Sequence, residues 1–263
     1  MGFDLASVYG SSLLLHALAQ GEYLLFYQPQ FHLSTGEIHS VEALIRWQHP
    51  TRGLILPESF IPLAEEEGSI VEIGKWIIDT ACRQNCLWQD HGLQPLRISV
   101  NVCTKQLQQD DFVYDIANIL EKYHLQPQYL ELELTENINL HQHKKIIQSI
   151  HALKKIGVKI ALDDFGTGYS NISYLKIIPV DRIKIDKSYI EHVHTNKEDA
   201  AIVKALITLA RTLNIQILAE GVESKKQLQL LMSQGCHEGQ GYYFSEPLSE
   251  HEIEKFLFNR VKT

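Results

Sequence analysis

The sequence predicts a closed α/β barrel of eight strands with intervening helices, altered near its start by one antiparallel strand. Three observations carry this expectation. Short apolar, β-branched runs alternate with longer segments of helical period, the pattern of repeated βα units. Eight such runs fit into 263 residues, the size and rhythm of a (β/α)8 barrel. The first two runs stand too close together for a helical crossover, so they must pair as an antiparallel hairpin.

In chain order, strands are predicted at Tyr23–Gln30, Ser40–Trp47, Leu96–Val102, Leu130–Thr135, Lys159–Asp164, Arg182–Asp186, Gln216–Glu220 and Gly241–Ser245. Only Ser34, Thr35, Gly36 and their neighbours separate Tyr23–Leu33 from His39–Trp47, and this short gap is what forces the hairpin. Helices are predicted at Pro57–Glu66, Val71–Gln89, Thr104–Tyr123, His141–Ile156, Lys197–Leu213, Lys225–Ser233 and Glu250–Arg260. Several of them begin near Ser, Thr or Asn or end at Gly, as helix caps require. The fold class is therefore α/β, a modified TIM (β/α)8 barrel with one antiparallel strand near the N-terminus. An open doubly wound sheet is the structural alternative.

With 44% apolar and 21% charged residues, the chain has the composition of one well-cored domain, expected to occupy residues 1–263. No linker-like stretch, low-complexity tract or tandem repeat divides it. Apolar runs such as Leu13–Leu15 are far shorter than the roughly 18 residues that span a bilayer, and the N-terminus lacks a basic region followed by a long apolar run. The expectation is a cytoplasmic chain that makes no membrane contact itself. Cys82, Cys86, Cys103 and Cys236 form no CxxC pair and suit reduced core thiols. A net charge of -8 argues against duplex nucleic acid as a partner, which demands a basic face. It leaves room for a small anionic ligand met by metal ions held on the protein's own carboxylates.

In a barrel, functional groups sit where strands end, so the residues at those ends are the informative ones. Asn101 closes SVNV, Glu133 and Glu136 lie in ELTE, Asp163 and Asp164 close ALDD, Lys184 and Asp186 lie in IKID, and Glu220 and Glu223 lie in AEGVE. Glu42 sits in VEAL on the second strand. Carboxylates flanked by Val, Ala, Leu and Ile cannot face an apolar interior unpaired, because burying such a charge costs several kcal/mol. Divalent cations resolve both that cost and the mutual repulsion. An oxygen-only donor set favours Mg²⁺ or Mn²⁺ over zinc, and the adjacent Asp163 and Asp164 can serve two ions. A single strand-end carboxylate is more often a helix cap or a solvated loop residue; the set as a whole points to a site. The Gly-rich DDFGTGYS turn, residues 163–170, can bring backbone N–H groups close to a phosphate. The thirteen histidines offer no HExxH spacing and stay outside the predicted site.

From about Leu18 to Pro247 the sequence resembles the EAL-domain cyclic-di-GMP phosphodiesterases. The signatures, in order, are FYQP (26–29), EALIRWQHP (42–50), FIPLAEE (60–66), ISVNV (98–102), ELTE (133–136), DDFGTGYS (163–170), IKIDKS (183–188), AEGVE (219–223) and QGYYFSEP (240–247). The resemblance implies hydrolysis of cyclic di-GMP to linear pGpG with Mg²⁺ or Mn²⁺, two ions in all. It implies Glu42, Asn101, Glu133, Asp163 and Asp164 as metal ligands, with Asp163 between the ions. Glu220 is implied as ligand or base and Lys184 as the group that orients the attacking water. Arg46 is implied as a phosphate clamp, Gln28, Gln240, Asp186 and Glu223 as substrate contacts, and Glu136 as the anchor of the DDFGTGYS loop. A homodimer, and sensor or diguanylate cyclase domains as linked or separate partners, follow from the same resemblance. Departures are Ser40 for the usual Gly, Cys103 for Ser, Asn171–Ile172 for Ser–Leu and Glu246 for a basic residue. Two other readings stand beside the hydrolase: an EAL domain that binds cyclic di-GMP without turnover, and an unrelated Mg²⁺-dependent barrel enzyme acting on a small carbonyl acid.

Overall fold

A computed structural model of the chain describes residues 12–135, 144–166 and 174–261. Ten strands are present among them: β1 Tyr23–His32, β2 Ile38–His49, β3 Gly53–Ile55, β4 Arg97–Val102, β5 Leu130–Thr135, β6 Lys159–Phe165, β7 Arg182–Ile185, β8 Gln216–Ala219, β9 Glu238–Gly239 and β10 Leu248–Ser249. Strands β2, β4, β5, β6, β7, β8 and β9 follow one another in parallel. β1 closes the ring by pairing antiparallel with β2 on one side and β9 on the other. The predicted reversed first strand is thus present, and it is the strand at which the barrel shuts. β3 and β10 are short additions at the edges of β2 and β1.

Apolar side chains on the outer faces of the strands meet the helices, in an interface that includes Val41, Ile98, Val100, Leu130, Leu132, Leu134, Ile160, Leu162, Ile183 and Ile185, all essentially inaccessible to water. The helix Ile70–Asp90 contributes Ile73, Ile77, Ile78, Ala81, Cys82 and Trp88 to that layer at helical spacing. Because these apolar contacts lie outside the ring of strands, the alternate positions on each strand point inward, and inward is where the polar residues are.

Two expectations need correction. Gly241–Ser245 is not the eighth strand; that strand is the two-residue β9 just upstream. The Gly241 carbonyl accepts hydrogen bonds from the backbone N–H of both Phe244 and Ser245, which curls the segment into a turn. Its aromatic residues suggested a strand, yet Tyr242 and Tyr243 point out to solvent. The single helix expected over Thr104–Tyr123 is two, Thr104–Leu107 and Phe112–Tyr123, the latter amphipathic around Phe112, Ile116, Ile119 and Leu120. A helix at Ser12–Ala19 is not among the expected elements. All four cysteines are free. Among the described residues, no helix is long and apolar enough to cross a membrane.

Candidate active site

The parallel strands carry their inward side chains to one mouth of the barrel. Register puts Glu42 of β2 beside Ser99 of β4, Asn101 of β4 beside Glu133 of β5, and Thr135 of β5 beside Asp163 of β6. Lys184 of β7 and Glu220, immediately after β8, complete the ring. Lys184 is fully buried and sits at the centre. Its Nζ lies 2.7 Å from Glu133 Oε2, 2.9 Å from Glu220 Oε1, 3.1 Å from Asp163 Oδ1 and 3.5 Å from Glu42 Oε2. One ammonium therefore faces four carboxylates, and the group is strongly short of positive charge.

The electrostatics follow from that imbalance. Burial works against a charged Lys184, but the surrounding carboxylates, Asp163 and Glu133 foremost, hold its pKa well above the ordinary lysine value. Burial raises Glu133 well above the usual carboxylate range, and Glu42 and Asp163 push it further. Glu220 is raised as well, first by burial and then by Asp163 and Glu42, against the opposing pull of Lys184. Burial would raise Glu42 too, but Lys184 and hydrogen bonds from Gln240 and Asn101 hold it below its ordinary value. Asp164 is pushed up to about 6 by burial and by its neighbours Asp163 and Asp186.

Two triads of carboxylate oxygens converge in this ring: Glu42, Glu133 and Asp163, and Asp163, Asp164 and Glu220, the donor atoms of each lying within 4.8 Å of one another. Asp163 belongs to both. The donor set is all oxygen, as Mg²⁺ and Mn²⁺ prefer. Glu133 Oε1 is buried with no hydrogen-bond partner, an acceptor that a hard cation would satisfy. Asn101 donates its Nδ2 to Glu42 Oε1 at 2.9 Å, which leaves the amide oxygen to turn toward a cation. Asp164 has a positive φ of 53°, a left-handed conformation rare outside glycine and common at functional sites. Its backbone N–H donates to Asp163 Oδ1 at 3.0 Å, and both carboxylates still offer an oxygen to the triad with Glu220.

Gln28 and Gln240 are buried and linked to the ring: Gln240 Nε2 donates to Glu42 Oε2 at 2.6 Å and to Gln28 Oε1 at 3.3 Å. Arg46 lies farther along β2, half-buried, with its guanidinium 5.7 Å from the Phe26 ring centroid. Asp186 stays beside the mouth through a side-chain hydrogen bond with Asp164, and it also caps the helix Lys187–Glu191 by accepting from the Ser188 N–H at 3.0 Å. Glu223 is exposed, its own N–H donating to Gln227. Glu136 and residues 167–170, the second half of the DDFGTGYS turn, lie outside the described residues.

Beneath this ring is a second polar layer that reading strand ends did not find. Arg182, fully buried, donates Nη1 to Glu131 Oε1 and to Gln30 Oε1, each at 2.8 Å, and its Nε lies 3.2 Å from Glu238 Oε2. Ser99 and Arg97 also donate to Glu131. The two layers are joined by Gln30, whose Nε2 donates to Gln240 Oε1 at 2.8 Å. The missed signal was the period of two: Glu131, Arg182 and Glu238 each stand two residues before Glu133, Lys184 and Gln240, and so face the same way.

The model of the EAL domain family matches residues 12–247. This chain belongs to the EAL domain family. As an EAL domain it is 41% identical over 91% of its length to the bifunctional diguanylate cyclase/cyclic di-GMP phosphodiesterase MucR of Pseudomonas aeruginosa, and spans 35% of that protein. It is 41% identical over 94% of its length to the signaling protein YkoW of Bacillus subtilis, of which it spans 31%. The chain thus covers about a third of the length of these curated relatives. Among solved structures, the MucR phosphodiesterase in complex with c-di-GMP is 41% identical with a TM-score of 0.87, covering 91% of this chain and 97% of that one. The EAL domain of Mycobacterium smegmatis DcpA is 32% identical with a TM-score of 0.78, covering 91% of this chain and 97% of that one.

Proposed function

We propose that this EAL domain hydrolyses cyclic di-GMP to linear 5′-pGpG with the help of two divalent cations, Mg²⁺ or Mn²⁺. The observation that carries the reading is the pair of carboxylate triads sharing Asp163, with Lys184 at their centre. Glu42, Asn101, Glu133 and Asp163 would hold one ion, and Asp163, Asp164 and Glu220 the other. Once bound, such ions neutralise the phosphodiester and make an attacking water more acidic.

The chain's own residues supply the remaining chemistry. Glu220 takes the proton of the water, a role suited to a carboxylate whose pKa is raised by burial. The water oxygen bonds to phosphorus, the P–O3′ bond breaks, and the 3′ oxygen leaves with a proton taken from solvent, to which Glu220 returns the one it accepted, giving a linear dinucleotide. Lys184 keeps Glu220, Asp163 and Glu133 in place and offsets the charge that develops on the phosphoryl oxygens. Arg46 clamps a phosphate at the rim, while Gln28 and Gln240 fix the orientation of Glu42. Asp186 acts through the Asp164 loop, Glu223 reaches substrate from the surface, and Glu136 anchors the DDFGTGYS turn. The proposal extends to the setting: one domain over residues 1–263, acting as a homodimer beside sensor or diguanylate cyclase domains. The longer, bifunctional MucR relative supports that setting.

The direct test is incubation of purified protein with cyclic di-GMP and Mg²⁺ or Mn²⁺, following pGpG by chromatography beside Glu42→Ala. Metal-dependent product that vanishes in the variant is expected. Tight binding without product would leave a receptor in place of an enzyme.

Metal affinity should also fall in acid. A carboxylate must be ionised to bind a cation, and in the metal-free ring Asp164 titrates near 6 while Glu133 and Glu220 titrate well above their usual range. Binding below that point displaces protons, so affinity is expected to drop about tenfold per pH unit for each proton released. Calorimetry in buffers of different ionisation enthalpy reads the proton count. Unchanged affinity and zero proton release between about pH 5 and 7 would show that the carboxylates are already ionised.

A further inference from the structure

The opposite end of the barrel carries a second group of metal-ligand side chains. His32 ends β1, Glu238 begins β9, and the two are Cα partners across the seam where the barrel closes. His39 reaches them from β2. The β1–β2 register slips by one residue between Gln30↔Ser40 and Phe31↔Ile38, which makes His39 the extra residue of a bulge. Such bulges re-aim a side chain that regular pleating would send elsewhere. Here the His39 ring packs on His32, with centroids 4.3 Å apart.

Hydrogen bonding fixes the His39 tautomer. Ser40 Oγ gives its own proton to Gln30 Oε1 and lies 2.9 Å from His39 Nδ1, so Nδ1 must carry the proton that this contact needs. Nε2 is then left as a lone pair. That atom is buried without a hydrogen-bond partner and faces Glu238 Oε1 at 3.8 Å. Two electron-rich atoms aimed at one another in a buried place call for a cation between them. Ligand atoms of His32, His39 and Glu238 all lie within 4.8 Å of one another.

We propose that His32, His39 and Glu238 form a binding site for a divalent transition-metal ion of the zinc class, separate from the oxygen-only ring at the mouth. Two neutral imidazoles and one carboxylate are a donor set for Zn²⁺, and a poor one for Mg²⁺. Outer partners are already in place: Ser40 orients His39, and Arg182 holds Glu238 Oε2 at 3.2 Å while leaving Oε1 toward the histidines. A fourth position can be filled by water from the cavity of about 750 Å³ that both histidines line. Occupied, the site would clip β1 and β2 to β9 at a seam that otherwise has only two paired residues from each side.

Equilibrium dialysis of the tag-free chain against Zn²⁺ in excess Mg²⁺ tests this, with X-ray absorption at the zinc edge on the loaded protein. One zinc per chain is expected, retained by Glu42→Gln at the mouth, lost by His39→Ala and by His32→Asn, and showing imidazole scattering in the spectrum. His32 is at a strand end and partly exposed, so its variant tests binding without disturbing the core. The spectrum reads the unaltered protein, whatever happens to the variants. Zinc held equally by the histidine variants, zinc lost with Glu42→Gln, oxygen-only coordination, or no zinc retained at all would each overturn the proposal.

Discussion

Asp163→Asn should cut the turnover of cyclic di-GMP by about a thousandfold, equivalent to ~4 kcal/mol of transition-state stabilisation. Asp163 is the one carboxylate common to both triads, and it also accepts the Asp164 N–H and touches Lys184. Asparagine keeps the size and one oxygen, so the loss would come from the charge and from the second ligand oxygen rather than from a change of shape. Both proposed ions would be weakened together, whereas Glu42→Gln or Asp164→Asn would each weaken one. Steady-state kinetics across a Mg²⁺ titration separates these cases. Turnover within tenfold of the parent at saturating Mg²⁺ would remove Asp163 from its shared position.

Arg182→Met should destabilise the fold by about 3–5 kcal/mol, because it leaves buried carboxylates without their counter-charge. Glu131 retains Arg97 as a partner, at 3.0 Å, so most of the penalty should rest on Glu238. Adding Glu238→Gln to Arg182→Met should therefore recover more stability than adding Glu131→Gln. Urea unfolding followed by circular dichroism measures all three variants. A loss under about 1 kcal/mol for Arg182→Met would mean that water or a local shift replaces the guanidinium.

These two predictions differ in how visible their residues were in the sequence. Asp163 announced itself, since a carboxylate pair closing an apolar strand has few structural excuses. The whole mouth was legible in the same way: Glu42, Asn101, Glu133, Lys184 and Glu220 all end strands or sit in apolar company, and all are in the ring. Arg182 was not, because an arginine at the start of a short strand reads as solvated, and only the closed barrel turns that position inward. Asp186 shows the converse. Its place in IKID matches the pattern of a site residue, and its side chain does touch Asp164, but the same carboxylate also caps the helix that begins at Lys187, a second role that strand-end position does not report. β7 and β8 lie where the sequence places them, but β9 is two residues long, too short for any period to register, and its aromatic neighbours draw the assignment downstream. His39 was invisible for a related reason, since its inward aim comes from a bulge that no spacing rule reports.

The reversed first strand has a consequence for the order in which this protein comes into being. β1 and β2 are adjacent in sequence and can pair as soon as both leave the ribosome. The other side of β1 must wait for β9, and Gln30 meets Gln240 across 210 positions of chain. Closing so long a loop is slow and follows the local pairings. Until it happens, the nascent sheet has two open edges, Arg182 lacks both Gln30 and Glu238, and Glu42 lacks Gln240. Chains interrupted before Glu238 should therefore be aggregation-prone arcs rather than smaller barrels, and the half-life of that arc during synthesis is the interval in which a chaperone would be needed.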